Sequence, residues 1–453
     1  MLKILPEQME LRRDITPVIG NVDYKHFRER LEWIDEVLRT SGLEQAFVTR
    51  RVEAWLAGLA REVSERQQAR YQKNCRQALR CNIARQLVGK EYRRFSRMLA
   101  DSPLLQWFCR ADRLEVVRVP SKSALERYDK LAPEAEVRGL VDELTRQAAG
   151  LKDKSLHPLG LEEALGLEVY WADTTCVKAN IHFPTDWVLM RDAVRTMMKA
   201  VLLIRGQGLK QRMEEPEVFL RRMNRLCIAM TQNRRQEGSR KARKRTLRQM
   251  KRLSGVIARH ARRYRDMLEK RWGETDWTEV EARRVIERID GILTQLPTAI
   301  KQAHERLIGG RPVKNAEKIL SLYEPNIHVI VRGKSNAEVE FGNTLFLGEQ
   351  REGLVVDWKL VKEVSPGDGA LLRTSLARTR QVLGRNPLGV GTDRGFDGPE
   401  TRKALEAESI FNGVCPKSVR LMRERLEDEA FVDIQRRRAQ TEGRVGILQN
   451  DFL

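Results

Sequence analysis

The sequence predicts an α/β fold with large helical parts: a mixed-sheet core, a helical N-terminal domain and an inserted helical hairpin. Three observations lead there. Residues 25–150 alternate apolar and basic positions at helical spacing and show no strand-like run. Two long apolar stripes of helical period cross residues 247–307. From Ile327 the period changes to two, and a short β-prone run at 167–171 stands far ahead of that change.

In chain order, 27–38, 54–71, 75–87 and 92–99 are predicted as short helices, and Pro103 and Pro120 punctuate the chain beyond them. Ser123 and Glu126 stand in the S-x-x-E relation of a capping box, so a helix is expected to start there. Lys122, Ser123 and Arg127 lie near its first turn, where a helix-turn-helix reader places base and phosphate contacts. An ordinary capped surface helix is the alternative. Residues 1–150 are therefore read as a helical DNA-binding domain.

Leu167, Val169, Tyr170 and Trp171 form an apolar run suited to a central strand, which Asp173 is expected to end. A second strand-like segment comes after it. A carboxylate at the mouth of a buried strand is costly unless paired, and a metal ion is one such partner. An aspartate capping a turn is the alternative. Residues 151–186 make the first part of the sheet core.

Residues 187–315 are a basic helical insertion. The run 232–252 is densely cationic, and Arg240, Arg243 and Lys244 are expected to face phosphates. It leads into Leu247, Met250, Leu253, Ile257, Ala261, Tyr264 and Leu268, at steps of three and four. Thr278 and Glu281 form another capping box. Val285, Ile289, Ile292, Leu296, Ala299, Ala303 and Leu307 make the second stripe, closed by Gly309 and Gly310. Two long helices with a short loop form an antiparallel hairpin whose stripes are its packing seam.

The rest of the core is expected in 316–453. Strands are predicted at 327–332, 341–348 and 353–362, the last two as a hairpin. A Ser-Pro-Gly-Asp-Gly break at 365–369 comes next, then a helix over 371–383 and a buried strand over 389–392 that ends at Asp393. Helix 399–408, strand 410–415 and a mostly helical 419–449 complete it. This order, with acids at Asp173, Asp393 and Glu442, is that of an RNase H-like sheet. In that fold the first strand lies beside the one carrying the second acid.

Charge bounds the partners. The 453 residues carry 84 Lys and Arg against 63 Asp and Glu, a net charge of +21, which attracts polyanions by counterion release. Double-stranded DNA is the first expectation. No apolar run approaches the roughly 20 residues needed to span a bilayer. Acids and a proline occupy the N-terminus where a signal peptide would be apolar, so a cytoplasmic protein without a membrane partner is expected. Six dispersed cysteines without a CxxC pair read as reduced and structural. Neither a GxxxxGK[ST] loop nor HExxH is present.

The motifs around the three acids resemble those of bacterial insertion-sequence DDE transposases. Asp173 opens DTT-x-V-x-AN-IH-x-PTD, ending at Asp186; Asp393, Arg394, Gly395 and Phe396 match DRG[FY]; Arg438, Glu442, Gly443, Arg444 and Val445 match R-x-x-x-E-G-R-[IV]. The resemblance runs from about Glu91 to the C-terminus. It implies an RNase H-like catalytic core that cleaves and joins DNA strands at the terminal repeats of an insertion sequence, as a homo-oligomer on DNA. It also implies two Mg²⁺ (or Mn²⁺) ions roughly 4 Å apart, which activate the attacking hydroxyl and neutralise the leaving oxygen. Three clustered carboxylates repel one another without metal. Asp173 is then the bridging ligand, with Asp393 on one ion and Glu442 on the other, while Arg394 and Arg438 face DNA. Relatives carry a Tyr and a Lys where this chain has Gln435 and Gln449, and they continue beyond Leu453, so a shortened copy is expected. A nuclease without strand transfer, or a truncated, catalytically inactive copy that only binds DNA, are the other expectations.

Overall fold

A computed structural model describes residues 14–59, 63–112, 116–150, 164–181, 185–232, 239–334 and 337–449. Its contacts divide it into two units: Met1–Thr174 with Phe346–Lys359 and Pro366–Leu453, and Thr175–Leu345 with Leu360–Ser365.

The first unit opens with helices α1 (Val22–Thr40), α2 (Leu43–Ala57), α3 (Glu65–Val88), α4 (Tyr92–Asp101), α5 (Pro103–Phe108), α6 (Lys122–Leu131) and α7 (Glu134–Ala148). Local chemistry sets the ends. Asn21 accepts from the Tyr24 N–H, and Ser64 with Gln67 forms a capping box. The helix expected over 54–71 is therefore two helices, because Gly58 closes α2 and Ser64 opens α3. The expected start at Ser123 also moves. Ser121, in extended backbone, accepts from the Ala124 N–H, so α6 begins at Lys122 and Ser123 lies inside its first turn. Leu31, Phe47, Val48, Leu79, Phe95, Phe108 and Leu125 pack into one core. Within it the fully buried Arg80 is neutralised by Asp35 and Glu44 and also donates to the Phe108 carbonyl.

Six strands form a mixed sheet: β1 (Val169–Lys178), β2 (His328–Lys334), β3 (Ala337–Glu349), β4 (Val355–Val361), β5 (Gly389–Thr392) and β6 (Phe411–Val414). Their order is β2-β3-β1-β5-β6, with β4 also on β3. The β2–β3 pair is antiparallel, whereas β1–β5 and β5–β6 are parallel. The fold class is thus α/β with a mixed sheet, as the periodicities predict.

The second unit contains α8 (Asp186–Gly206), α9 (Pro216–Gln232), α10 (Ser239–Arg271) and α11 (Glu279–His304). Its hairpin of α10 and α11 matches the expected stripes, and the Thr278–Glu281 capping box is present. The insertion nevertheless has four α-helices among the described residues. The stripes bury against α8, whose Met190, Val194, Met197, Val201 and Ile204 are fully buried in the same core.

The first unit ends with α12 (Asp368–Leu383), α13 (Pro399–Ala407), α14 (Val419–Arg425) and α15 (Glu429–Ile447). The stretch expected to be mostly helical over 419–449 is two helices, and Asp428 caps the second, α15. Buried Asp357 of β4 ties this region together, accepting from Arg138 of α7 and from Ser375 and Arg378 of α12. All six cysteines are buried, and none forms a disulfide. No helix among the described residues is long and apolar enough to cross a membrane.

Candidate active site

Parallel pairing of β1 with β5 runs Val169–Gly389, Tyr170–Val390 and Trp171–Gly391. Asp173 and Asp393 each stand two residues beyond the last of these pairs, so both acids leave the same edge on adjacent strands. The edge is braced from α15. Trp171 Nε1 donates to the Ile434 carbonyl at 2.9 Å, and Gln435 Nε2 donates to the carbonyls of Thr392 and Gly413. Gly391 permits this approach, since a Cβ there would meet Ile434 Cγ2 at 2.5 Å and Trp171 Cδ1 at 2.8 Å.

Asp173 does not end its strand. β1 continues through Lys178, and the second strand-like segment is the same strand; the Ala179 N–H donates to the Phe341 carbonyl of β3. Asp173 is half-buried, and its Oδ1 accepts from the Thr174 N–H at 2.7 Å. Asp393 does end β5. Its Oδ1 accepts from the Gly395 N–H at 2.8 Å and so opens a single 3₁₀ turn, Arg394–Phe396. Asp397 locks the far side of that turn. Its carboxylate accepts two bonds from Arg402 and one from the Lys417 N–H, all at 2.8 Å. Burial would raise its pKa, but Arg402 and the Lys417 amide outweigh burial and hold it below the usual aspartate value.

A further acid joins this edge. Asp368, the first residue of α12, accepts from the Thr174 hydroxyl at 3.1 Å. A Cβ at Gly395 would lie 2.6 Å from Asp368 Oδ2 and 3.0 Å from Asp393 Oδ1, so both carboxylates flank the same glycine. Sequence reasoning passed over Asp368 as part of a loop break. Its only local signal is an acid in the first turn of a helix, which ordinarily reads as a response to the helix dipole.

Glu442 is not brought to this edge. Thr441 and Arg444, its neighbours on α15, bond Glu349 at the end of β3. The adjacent Gly348 lies against Tyr170, which precedes Asp173 on β1. The helix therefore passes the acid edge at Ile434 and Gln435 and carries Glu442 roughly 11 Å farther along its axis at 1.5 Å per residue. There Glu442 is exposed and paired with Arg438 at 3.1 Å. Among the described residues, no group of three or more His, Cys, Asp or Glu side chains could hold a metal ion.

The expected DNA contacts fall on several faces. Lys122, Ser123 and Arg127 are exposed on α6, and Arg394 is exposed beside Asp393. Arg240 is exposed near the start of α10, Lys244 is half-buried, and Arg243 stacks over Trp187 at 5.2 Å. Residues 182–184 of the motif after Asp173 and 233–238 of the basic run lie outside the described residues. No family model, curated protein or solved structure matches the chain.

Proposed function

We propose that the chain is a metal-dependent transposase that cleaves and transfers DNA strands, built on an RNase H-like core. The observation that carries this reading is the β1–β5 register, which sends Asp173 and Asp393 from one edge of adjacent parallel strands. The helical part before residue 150 would bind terminal repeats through Lys122, Ser123 and Arg127. The basic insertion would hold flanking DNA through Arg240, Arg243 and Lys244. In this reading the protein works in the cytoplasm as a homo-oligomer on DNA.

The donor chemistry fits Mg²⁺ or Mn²⁺. Such hard ions take oxygen ligands and are commonly held by one or two carboxylates, with water and substrate phosphate completing the shell. Asp173 and Asp393 would hold the metal, which when bound supplies a stronger nucleophile and charge neutralisation at the scissile phosphate. Thr174 keeps Asp368 at the edge through its hydroxyl, and the Gly395 N–H orients the Asp393 carboxylate. Arg394 offers a cation to the DNA backbone next to the acids. In the present arrangement the acids do not form a three-carboxylate metal group; on this reading a third carboxylate, Asp368 or Glu442, would close on Asp173 and Asp393 when DNA binds.

Incubation with Mg²⁺ or Mn²⁺ and a supercoiled plasmid carrying the element's ends tests the reading. Nicks are expected at the end junctions, and sequencing of joined products separates strand transfer from simple hydrolysis. Asp173→Asn and Asp393→Asn abolish nicking and leave end binding nearly intact, since each removes a ligand charge but keeps the side chain's shape. Nicking that survives Asp173→Asn overturns the assignment. Comparing Asp368→Asn with Glu442→Gln identifies the third acid. The position of Glu442 favours a second reading, a copy that binds DNA without catalysis; end binding with no nicking in either metal would establish it.

A further inference from the structure

A second site of different character lies inside the insertion. Helices α8 and α11 and the segment at 322–325 line an open surface cavity of about 550 Å³. Its cations are Arg195 and Lys199, one turn apart on α8, and Arg288 on α11; Glu287 is its one carboxylate. None of the three cations has an ion-pair partner among the described residues. The acids beside them are already engaged, Asp192 with Arg191 and Asp290 with Arg265. Three cations around one hollow repel each other, and an anion relieves that repulsion.

The remaining wall is not simply basic. Tyr323 is 60% exposed, yet its hydroxyl is fixed to Thr196 Oγ1 at 2.9 Å, which leaves ring surface anchored in the wall. Ile292 and Leu322 supply a buried apolar floor. Gly291 stands in the α11 wall, and a Cβ added there meets nothing within 4 Å. The size falls within the 300–1,000 Å³ typical of small-ligand sites. Three positive charges against one negative leave an excess of two, which matches the roughly −1.5 to −2 of a phosphate monoester at neutral pH.

We infer that this cavity binds one nucleotide, its phosphate among Arg195, Lys199 and Arg288 and its base against Tyr323. The nucleotide comes either free or as the phosphorylated end of a DNA strand. The site lies wholly within the second unit and does not depend on the acid edge, so it stands or falls separately from catalysis.

The test uses the full chain with deoxyadenosine 5′-monophosphate, inorganic phosphate and deoxyadenosine as separate probes in calorimetric titrations. The monophosphate should bind tighter than either fragment. Arg195→Ala, Lys199→Ala and Arg288→Ala should each weaken it about tenfold, the scale of one charge-assisted hydrogen bond. Tyr323→Ala should remove the preference over inorganic phosphate. Gly291→Leu keeps every charge and a sound helix but fills the hollow, and should abolish binding with an unchanged circular dichroism spectrum. Photo-crosslinking with 8-azido-deoxyadenosine monophosphate should label peptides containing Tyr323 or Arg288. Competition by a 5′-phosphorylated single strand, against the same strand with a 5′-hydroxyl, identifies the source: stronger displacement by the phosphorylated strand means a DNA end, and equal displacement means a free nucleotide. Labelling elsewhere, equal affinity for phosphate and nucleotide, or full binding by Gly291→Leu would overturn the inference.

Discussion

Two residues govern the acid edge without carrying its charge. Gly395 lies so close to Asp368 and Asp393 that any Cβ must displace one of the two carboxylates. If the proposed function holds, Gly395→Ala should therefore reduce metal-dependent nicking about tenfold or more, while unfolding stability changes by less than about 1 kcal/mol, as for most surface substitutions. Nicking at the unchanged rate would mean that these carboxylates do not act together. Asp397 works through stability instead. Its folded pKa is depressed by Arg402 and the Lys417 amide, so its contribution is present above the unfolded value near 3.8 and is lost as pH falls through the folded value. Asp397→Asn should cost about 1–3 kcal/mol at pH 7, the cost of leaving buried partners unsatisfied. The difference from the unchanged protein should shrink in denaturation curves taken progressively below pH 4. A constant difference down to pH 2 would show that the Arg402 clamp is not charge-dependent.

At the level of elements, the decisive local question is where α6 begins, because its first turn carries Lys122. Ser121 is the cap in the structure. Ser121→Ala should cost the helix about 1 kcal/mol, which amide exchange would register as roughly fivefold faster exchange in the first turn of α6. Ser123→Ala should change exchange far less. The reverse pattern would move the helix start back to Ser123. The direction of α15 has the wider consequence. Bonds from Trp171 to Ile434 and from Gln435 to the ends of β5 and β6 set which turn of this helix meets the acids. Gln435→Ala should loosen that contact and, on the proposed reading, weaken the binding of Mg²⁺ or Mn²⁺ in calorimetric titration before it affects the remote pair of Arg438 and Glu442.

For the whole molecule, the excess of 21 positive charges would make the proposed association with DNA depend steeply on salt. Each phosphate neutralised contributes a slope of about −0.9 in log K against log salt. Replacing Arg240, Arg243 and Lys244 with Ala should flatten the slope by about 2 rather than 3, because Arg243 stacks on Trp187 and is only half-exposed. An unchanged slope would remove the insertion from the DNA interface. Lys122→Ala and Arg127→Ala should instead narrow the preference for terminal repeats over random duplex. An equal loss on both duplexes would show that α6 positions DNA without reading it.

Much of this architecture is readable without coordinates because it rests on local periodicity. The stripes of α10 and α11, the Thr278–Glu281 box, the β3–β4 hairpin and the placing of Asp393 after a short buried strand need only neighbouring residues. Other features depend on contacts that no local pattern encodes. β1 continues past Asp173 because β3 runs beside it, and apolar spacing alone does not reveal that neighbour. Asp368 reaches the acid edge through a hydrogen bond spanning 194 residues. The motif at Glu442 is plain in the sequence, but the turn of α15 that meets the strand ends is chosen by Trp171, Thr392 and Gly413. The hollow beside Tyr323 likewise exists only once α8 and α11 pack. Residue type and period determine which helices and strands form and what charge they carry. Strand register, helix direction and the meeting of distant carboxylates are decided by packing between parts of the chain that sequence distance keeps apart.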